Sequence, residues 1–249
     1  GFDILVQQDN WPLFFLIIGG MVSLGGIIGI FLIKESNVRK SSANYWETLI
    51  YGFKPSTIKA NPVLYLYLIA FALFGIAIQI FFPYLIIYIQ RYLGIDSYAI
   101  VLGIVLIVSS VVSVVVGTKV TAKNKNKFIY PSAAVLAVGL LLLFFVKKKE
   151  IVFLVIAGAV MMSGDLIMTS VLSAKVRDYT PLDKVGHFQG IRMIFYVLLP
   201  MVIGPFIGAA VITNSGQYYD DLGTLKPVPT PGIFLAAAIT VVLIAIPLF

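Results

Sequence analysis

The stretch from Ile151 to Leu172 reads IVFLVIAGAVMMSGDLIMTSVL, with a single charged residue, Asp165, and no proline. A helix over those residues spans about 33 Å at 1.5 Å per residue, enough to cross roughly 30 Å of hydrocarbon. A membrane strand would alternate apolar and polar residues, and this stretch does not. Six further runs read the same way, at 12–33, 62–90, 98–117, 128–146, 188–212 and 232–249. The connections between them carry the charges, glycines, prolines and asparagines expected of loops outside a bilayer.

Composition supports the same class. The chain is 60% hydrophobic and 12% charged, with a mean hydropathy of +1.01, so its apolar surface exceeds what one core can hide and the surplus must face lipid. The expected fold is therefore all-α: a polytopic transmembrane helix bundle, multi-pass in the cell membrane. Cysteine is absent and His187 is the single histidine, which excludes disulfides, thiolate sites and paired-histidine metal sites. Neither a metal nor a cofactor is expected. His187 reads as a solvated residue at a loop–helix junction. No glycine-rich phosphate loop, zinc-binding helix or serine nucleophile elbow occurs, and Ser109, Ser110 and Ser113 read as hydroxyls used in helix packing. A membrane-embedded enzyme would need two or more converging ionisable groups within the bilayer, and the spans supply one acid.

The net charge of +7 would suggest nucleic acid in a soluble protein. Here the basic residues sit in short loops, so they set membrane orientation and no nucleic-acid partner is expected. Alternate loops 34–61, 118–127 and 173–192 hold thirteen Lys and Arg residues; the opposite set holds five, three of them in Lys147-Lys148-Lys149. The first set is therefore assigned to the cytoplasm, with the lysine triplet on the far side, because a re-entrant turn would strand three ammonium groups at mid-membrane. In the long connection, Trp46, Leu49, Ile50 and Phe53 share one helical face, which predicts a short interfacial helix. The chain opens on Gly1, without methionine, and ends at Phe249 inside an apolar run; both ends are expected to be cuts in a longer protein.

Three stretches carry a family resemblance. The first is 59–95, from Lys-Ala-Asn-Pro (59–62) through Phe74-Gly75 to Tyr-Leu-Gly-Ile-Asp (92–96). The second is Gly117 before the basic run Lys-Val-Thr-Ala-Lys-Asn-Lys-Asn-Lys (119–127). The third is Arg177-Asp178-Tyr179-Thr180-Pro181, then Gly186, Phe188, Gln189 and Gly190, then Gly-Pro-Phe-Ile-Gly (204–208). Together they resemble the carboxy-terminal part of a major facilitator superfamily transporter, helices six to twelve, leaning to the glycoside–pentoside–hexuronide sugar symporter branch. The basic turn departs from the family pattern, lacking its usual aspartate and arginines. The resemblance implies a division into 1–33, the outer segment and last helix of the amino-terminal half; 34–61, a cytoplasmic linker; and 62–249, a six-helix half. It places helices one to five outside this chain.

Within the spans Asp165 is the one deeply placed acid, which must face the bundle interior as an ion or solute group or as half of a charge pair. Arg192 is its expected partner. Gln79, Tyr84, Tyr88 and Tyr196 are further candidates for the solute or ion pathway, with Arg192, Arg177 and Asp178 at a cytoplasmic gate. Gly25 and Gly29, and Gly204 and Gly208, are spaced for close helix packing, while Pro83, Pro200 and Pro205 interrupt otherwise continuous helices. The expected function is secondary active transport of a small polar solute, a sugar among the candidates, by alternating access. The expected partners are the lipid bilayer, the solute, H+ or Na+ as coupling ion, and the amino-terminal half. Drug or metabolite efflux, or a non-transporting sensor or scaffold, are the alternatives.

Overall fold

Pro12, Pro55 and Pro62 each fall in the first turn of a helix, where a missing N–H costs nothing. The computed structural model describes residues 11–32, 51–121, 123–181, 184–213, 216–221 and 223–248. Apolar helices occupy all seven expected stretches. They are α1 (Trp11–Leu32), α3 (Pro62–Tyr92), α4 (Tyr98–Gly117), α5 (Asn126–Phe144), α6 (Ile151–Tyr179), α7 (Val185–Ile212) and the shorter α8 (Gly232–Leu248), while α2 (Pro55–Ala60) is a brief connector helix. The chain divides into two units, Gly1–Ala43 and Asn44–Phe249. In the first, α1 carries no charged residue.

In the second unit, α6 runs seven residues beyond its expected end at Leu172. The charges of its last two turns do not stop it, because the Lys175 ammonium lies beside the stacked rings of Tyr67 and Tyr179, at 5.2 and 5.1 Å from their centroids. The helix ends at Thr180, before Pro181, where helical geometry is disfavoured. Pro83 does not break α3: the rod tightens to a 3-10 turn at Phe82–Tyr84 and loosens to a π turn at Tyr88–Tyr92. A π turn at Ile194–Leu198 likewise precedes Pro200 in α7.

Small residues set the tightest contacts, as lipid leaves packing rather than hydrophobic expulsion to hold helices together. A Cβ at Gly204 would collide with Gln79, and one at Gly208 with the Ile80 carbonyl and the Tyr84 ring. Gly75 faces Pro200 Cγ, which its Cβ would meet at 2.6 Å. Gly139 and Gly164 do the same for α5 against α6. The contact pattern maps onto itself when α3, α4, α5 are exchanged with α6, α7, α8. The α3–α7 interface exchanges with α4–α6, α3–α8 exchanges with α5–α6, and α5–α8 and α3–α6 map onto themselves; only α7–α8 has no counterpart of similar extent. Three helices reverse the chain direction, so the repeat is inverted.

The two ends of this unit are separate. The Tyr65 hydroxyl donates to the Gly52 carbonyl, and α3 then carries the chain about 45 Å to Tyr92, whose ring lies under Lys148. There the Lys149 N–H donates to the Leu93 carbonyl at 3.1 Å. The lysine triplet and Tyr51–Asn61 thus occupy opposite ends, as the charge count requires. A hairpin unforeseen in the sequence, β1 (Tyr218–Asp221) and β2 (Thr224–Pro227), joins the lysine end, with Arg91 over the Tyr219 ring and Gly223 at φ 82° in its turn. Trp46, Leu49 and Ile50 of the expected interfacial helix lie outside the described residues. Phe53 falls in a 3-10 turn, Tyr51–Phe53.

Candidate functional site

Asp165 stands fourteen residues from either end of α6, about 21 Å along the axis from each. Met161 and Met162, a turn before it, and Thr169, a turn after it, share its face. Two clefts meet at this face. One, of about 260 Å³, lies between α3, α6 and α7 and is lined by Gln79, Asp165, Thr169 and Tyr196 with Gly75, Pro200 and Met201. The other, of about 280 Å³, lies between α3, α4 and α6 and is lined by Phe81, Phe82, Leu102, Val105, Met161 and Met162 with Asp165. Ile78 and Asp165 border both.

None of the four polar side chains of the first cleft has a hydrogen-bond partner among the described residues. Ser163, Ser170 and Thr240 each donate to the carbonyl four residues back, at 2.6, 2.8 and 2.9 Å, whereas Thr169 does not. Pro83, Pro200 and Pro205 have no N–H to give the carbonyl four residues back, which belongs to Gln79, Tyr196 and Met201 respectively, and all three residues line this cleft. Irregular backbone at membrane depth is tolerated where it borders a cavity.

The expected Asp165–Arg192 pair is not formed. Arg192 donates from Nη2 to Ser173 Oγ at 3.1 Å and lies 5.9 Å from the Phe71 ring centroid. Ser173 is eight residues past Asp165, about 12 Å along α6; the two groups are at different depths because α6 extends to Tyr179. Asp178 pairs with Lys125 of the α4–α5 turn, and Arg177 is exposed, its carbonyl accepting the Thr180 N–H. Tyr196 does line the polar cleft, its ring stacked on Phe71 at 4.1 Å.

Tyr84 and Tyr88 do not line it. The Tyr84 hydroxyl donates to the Pro205 carbonyl at 2.9 Å, tying α3 to α7. Tyr88 is fully buried, stacked on Tyr92 and edge-on to Phe234. His187 is half-buried, its ring 5.2 Å from that of Tyr51, rather than freely solvated. Ser109 is a packing hydroxyl, donating to Val105 and Ala159 carbonyls across α4 and α6. Thr169, Met161 and Met162 were not singled out in the sequence, although their spacing from Asp165 marks them as its neighbours on a helix. No group of metal-binding side chains comes together among the described residues.

No curated protein and no solved structure matches the chain. A family model does, over residues 3–149, more than half of the chain and up to the turn between α5 and α6. Asp165, Thr169 and Tyr196 lie beyond that stretch and rest on geometry alone. The matched family is the Major Facilitator Superfamily, and the chain belongs to it.

Proposed function

We propose that this chain is the carboxy-terminal part of a secondary active transporter that works by alternating access and holds its solute at Asp165. Family membership carries the coarser statement, a multi-pass membrane protein that transports small solutes. In the finer reading, residues 1–33 end the amino-terminal half, 34–61 link the halves on the cytoplasmic side, and 62–249 form a half that rocks against helices outside this chain. The inverted exchange of α3–α5 with α6–α8 supports that division, since such repeats frame a midplane site.

The observation that carries the proposal is the set of four half-buried polar side chains around one mid-helix cleft, none with a partner among the described residues. An unpaired carboxylate at that depth costs about 2.5–3.5 kcal/mol on insertion scales. Its retention fits a coupling site that takes H+ or Na+ in exchange with movement of solute. The solute leaves chemically unchanged, so the protein is not an enzyme. Arg192, reaching from α7 to Ser173 of α6, and Asp178, held by Lys125, sit at the Tyr51 end and serve as the cytoplasmic gate in this reading.

A sugar-like solute would find its partners in Gln79, Asp165, Thr169 and Tyr196. The apolar cleft next to them is the observation that favours the second reading, export of an amphipathic drug or metabolite. Reconstitution of the full-length protein in proteoliposomes tests the proposal. Uphill uptake is expected under a proton or sodium gradient and is expected to fail in Asp165→Asn while exchange at saturating solute persists. Unimpaired uphill uptake by that variant would remove Asp165 from coupling.

A further inference from the structure

We propose that the solute of this site is an amphipathic amine, its ammonium seated on Asp165 and its apolar body in the cleft between α3, α4 and α6. The inference rests on the transport reading above and names the substrate class of the same site.

Charge comes first. Among the described residues Asp165 is the only charged side chain on either cleft, and no cation pairs with it. A carboxylate in such surroundings is stabilised by an opposite charge, which a cationic ligand would bring. The polar cleft is also rich in acceptors. The carboxylate only accepts, and the Gln79 amide oxygen and the Thr169 and Tyr196 hydroxyl oxygens can accept beside it, although these three groups also carry donors. A primary ammonium, with three N–H donors and no acceptor, suits those acceptors.

Shape and polarity of the second cleft decide the rest of the ligand. Phe81, Phe82, Val105, Met161 and Met162 offer ring faces and thioethers and no hydrogen-bonding side chain. Such a lining is soft and adaptable, and it accepts an aryl or alkyl group. A sugar ring carries hydroxyls on all sides and would bury several of them unpaired there. Because Asp165 borders both clefts, one molecule with a charged head and an apolar body fills the two together.

The test is equilibrium binding to the purified full-length protein of three probes: 4-phenylbutylamine, the uncharged 4-phenylbutanol of nearly the same shape, and methyl glucoside. The amine is expected to bind roughly tenfold or more tightly than the alcohol, as a charge-assisted hydrogen bond requires, and the glucoside weakest. Asp165→Asn is expected to erase the preference while leaving alcohol binding, which shows that the variant is folded; Asp165→Glu is expected to retain it. Leu106→Trp, which fills the apolar cleft from an exposed position, is expected to weaken amine and alcohol alike. Equal affinity of amine and alcohol for the native protein, survival of the preference in Asp165→Asn, or tightest binding of the glucoside would each overturn the inference. The two proposals fail separately. Coupled uptake lost in Asp165→Asn without any amine preference in the native protein sinks this inference alone; an Asp165-dependent amine preference with coupling intact in Asp165→Asn sinks the coupling role alone.

Discussion

The two clefts that meet at Asp165 share a pair of walls, α3 and α6, and differ in the third, α7 on one side and α4 on the other. Exchanging the three-helix repeats carries one cleft onto the other, since α3 replaces α6 and α4 replaces α7. Their chemistry does not follow that symmetry. On the α7 side stand Gln79, Thr169 and Tyr196, and on the α4 side aromatic rings and methionines. Helix packing thus places two equivalent hollows, and side chains alone make one a polar site and the other an apolar one. α7 contributes two prolines and α4 none.

The largest effect that can break this comparison is at the shared residue. In Asp165→Asn the accumulation ratio in proteoliposomes of the full-length protein is expected to fall to about 1 while counterflow continues at saturating solute. Retained accumulation would mean that coupling lies elsewhere. Next comes the tight wall. Gly204→Ala pushes a methyl into Gln79, and overpacking of this kind costs about 1–3 kcal/mol. Gly103→Ala in α4 meets open space and is expected to change little. Thermal unfolding of both variants in detergent checks the contrast, and equal midpoints would deny the difference in closeness between the α7 and α4 sides.

A smaller loss is expected in the polar cleft at Gln79→Ala. One hydrogen bond to solute is worth about 0.5–1.5 kcal/mol, or roughly a 2- to 10-fold fall in transport affinity. Uptake titrations measure it, and an unchanged KM would place the solute outside that cleft. The smallest effect is expected for Tyr84→Phe. It removes the bond to the Pro205 carbonyl, about 0.6 kcal/mol for an interhelical bond in a membrane, and leaves KM alone. A shifted KM would return Tyr84 to the solute pathway.

Much of the frame was legible in the residues. All seven apolar runs are helices, because twenty or so residues without water-seeking groups have one stable form in lipid. Asp165 stood out because a lone carboxylate in such a run demands a reason. Gly204 and Gly208 read correctly as contact points. The tyrosines did not: Tyr84 and Tyr88 lie close to one helix face with Gln79, yet the closeness of α7 and α8 turns them into packing. Residue counts from helix ends at Leu172 and Phe188 put Arg192 at the depth of Asp165, and a helix that continues to Tyr179 changes that depth by about two turns. The hairpin around Gly223 was passed over because two four-residue strands carry almost no periodic signal.

Composition and run length by themselves determined that lipid surrounds this chain, how many times it turns, and that one buried acid needs a partner, since these follow from transfer of side chains and peptide groups out of water and depend on local sequence alone. Which neighbours surround that acid was decided only by the tertiary structure. The lateral order of helices depends on glycine contacts between segments far apart in the chain, such as Gln79 with Gly204 and Leu136 with Gly164. Those contacts put Gln79, Thr169 and Tyr196 on one side of Asp165 and Phe81, Phe82 and Met162 on the other, because a helix has no preferred partner until its small residues meet a complementary surface.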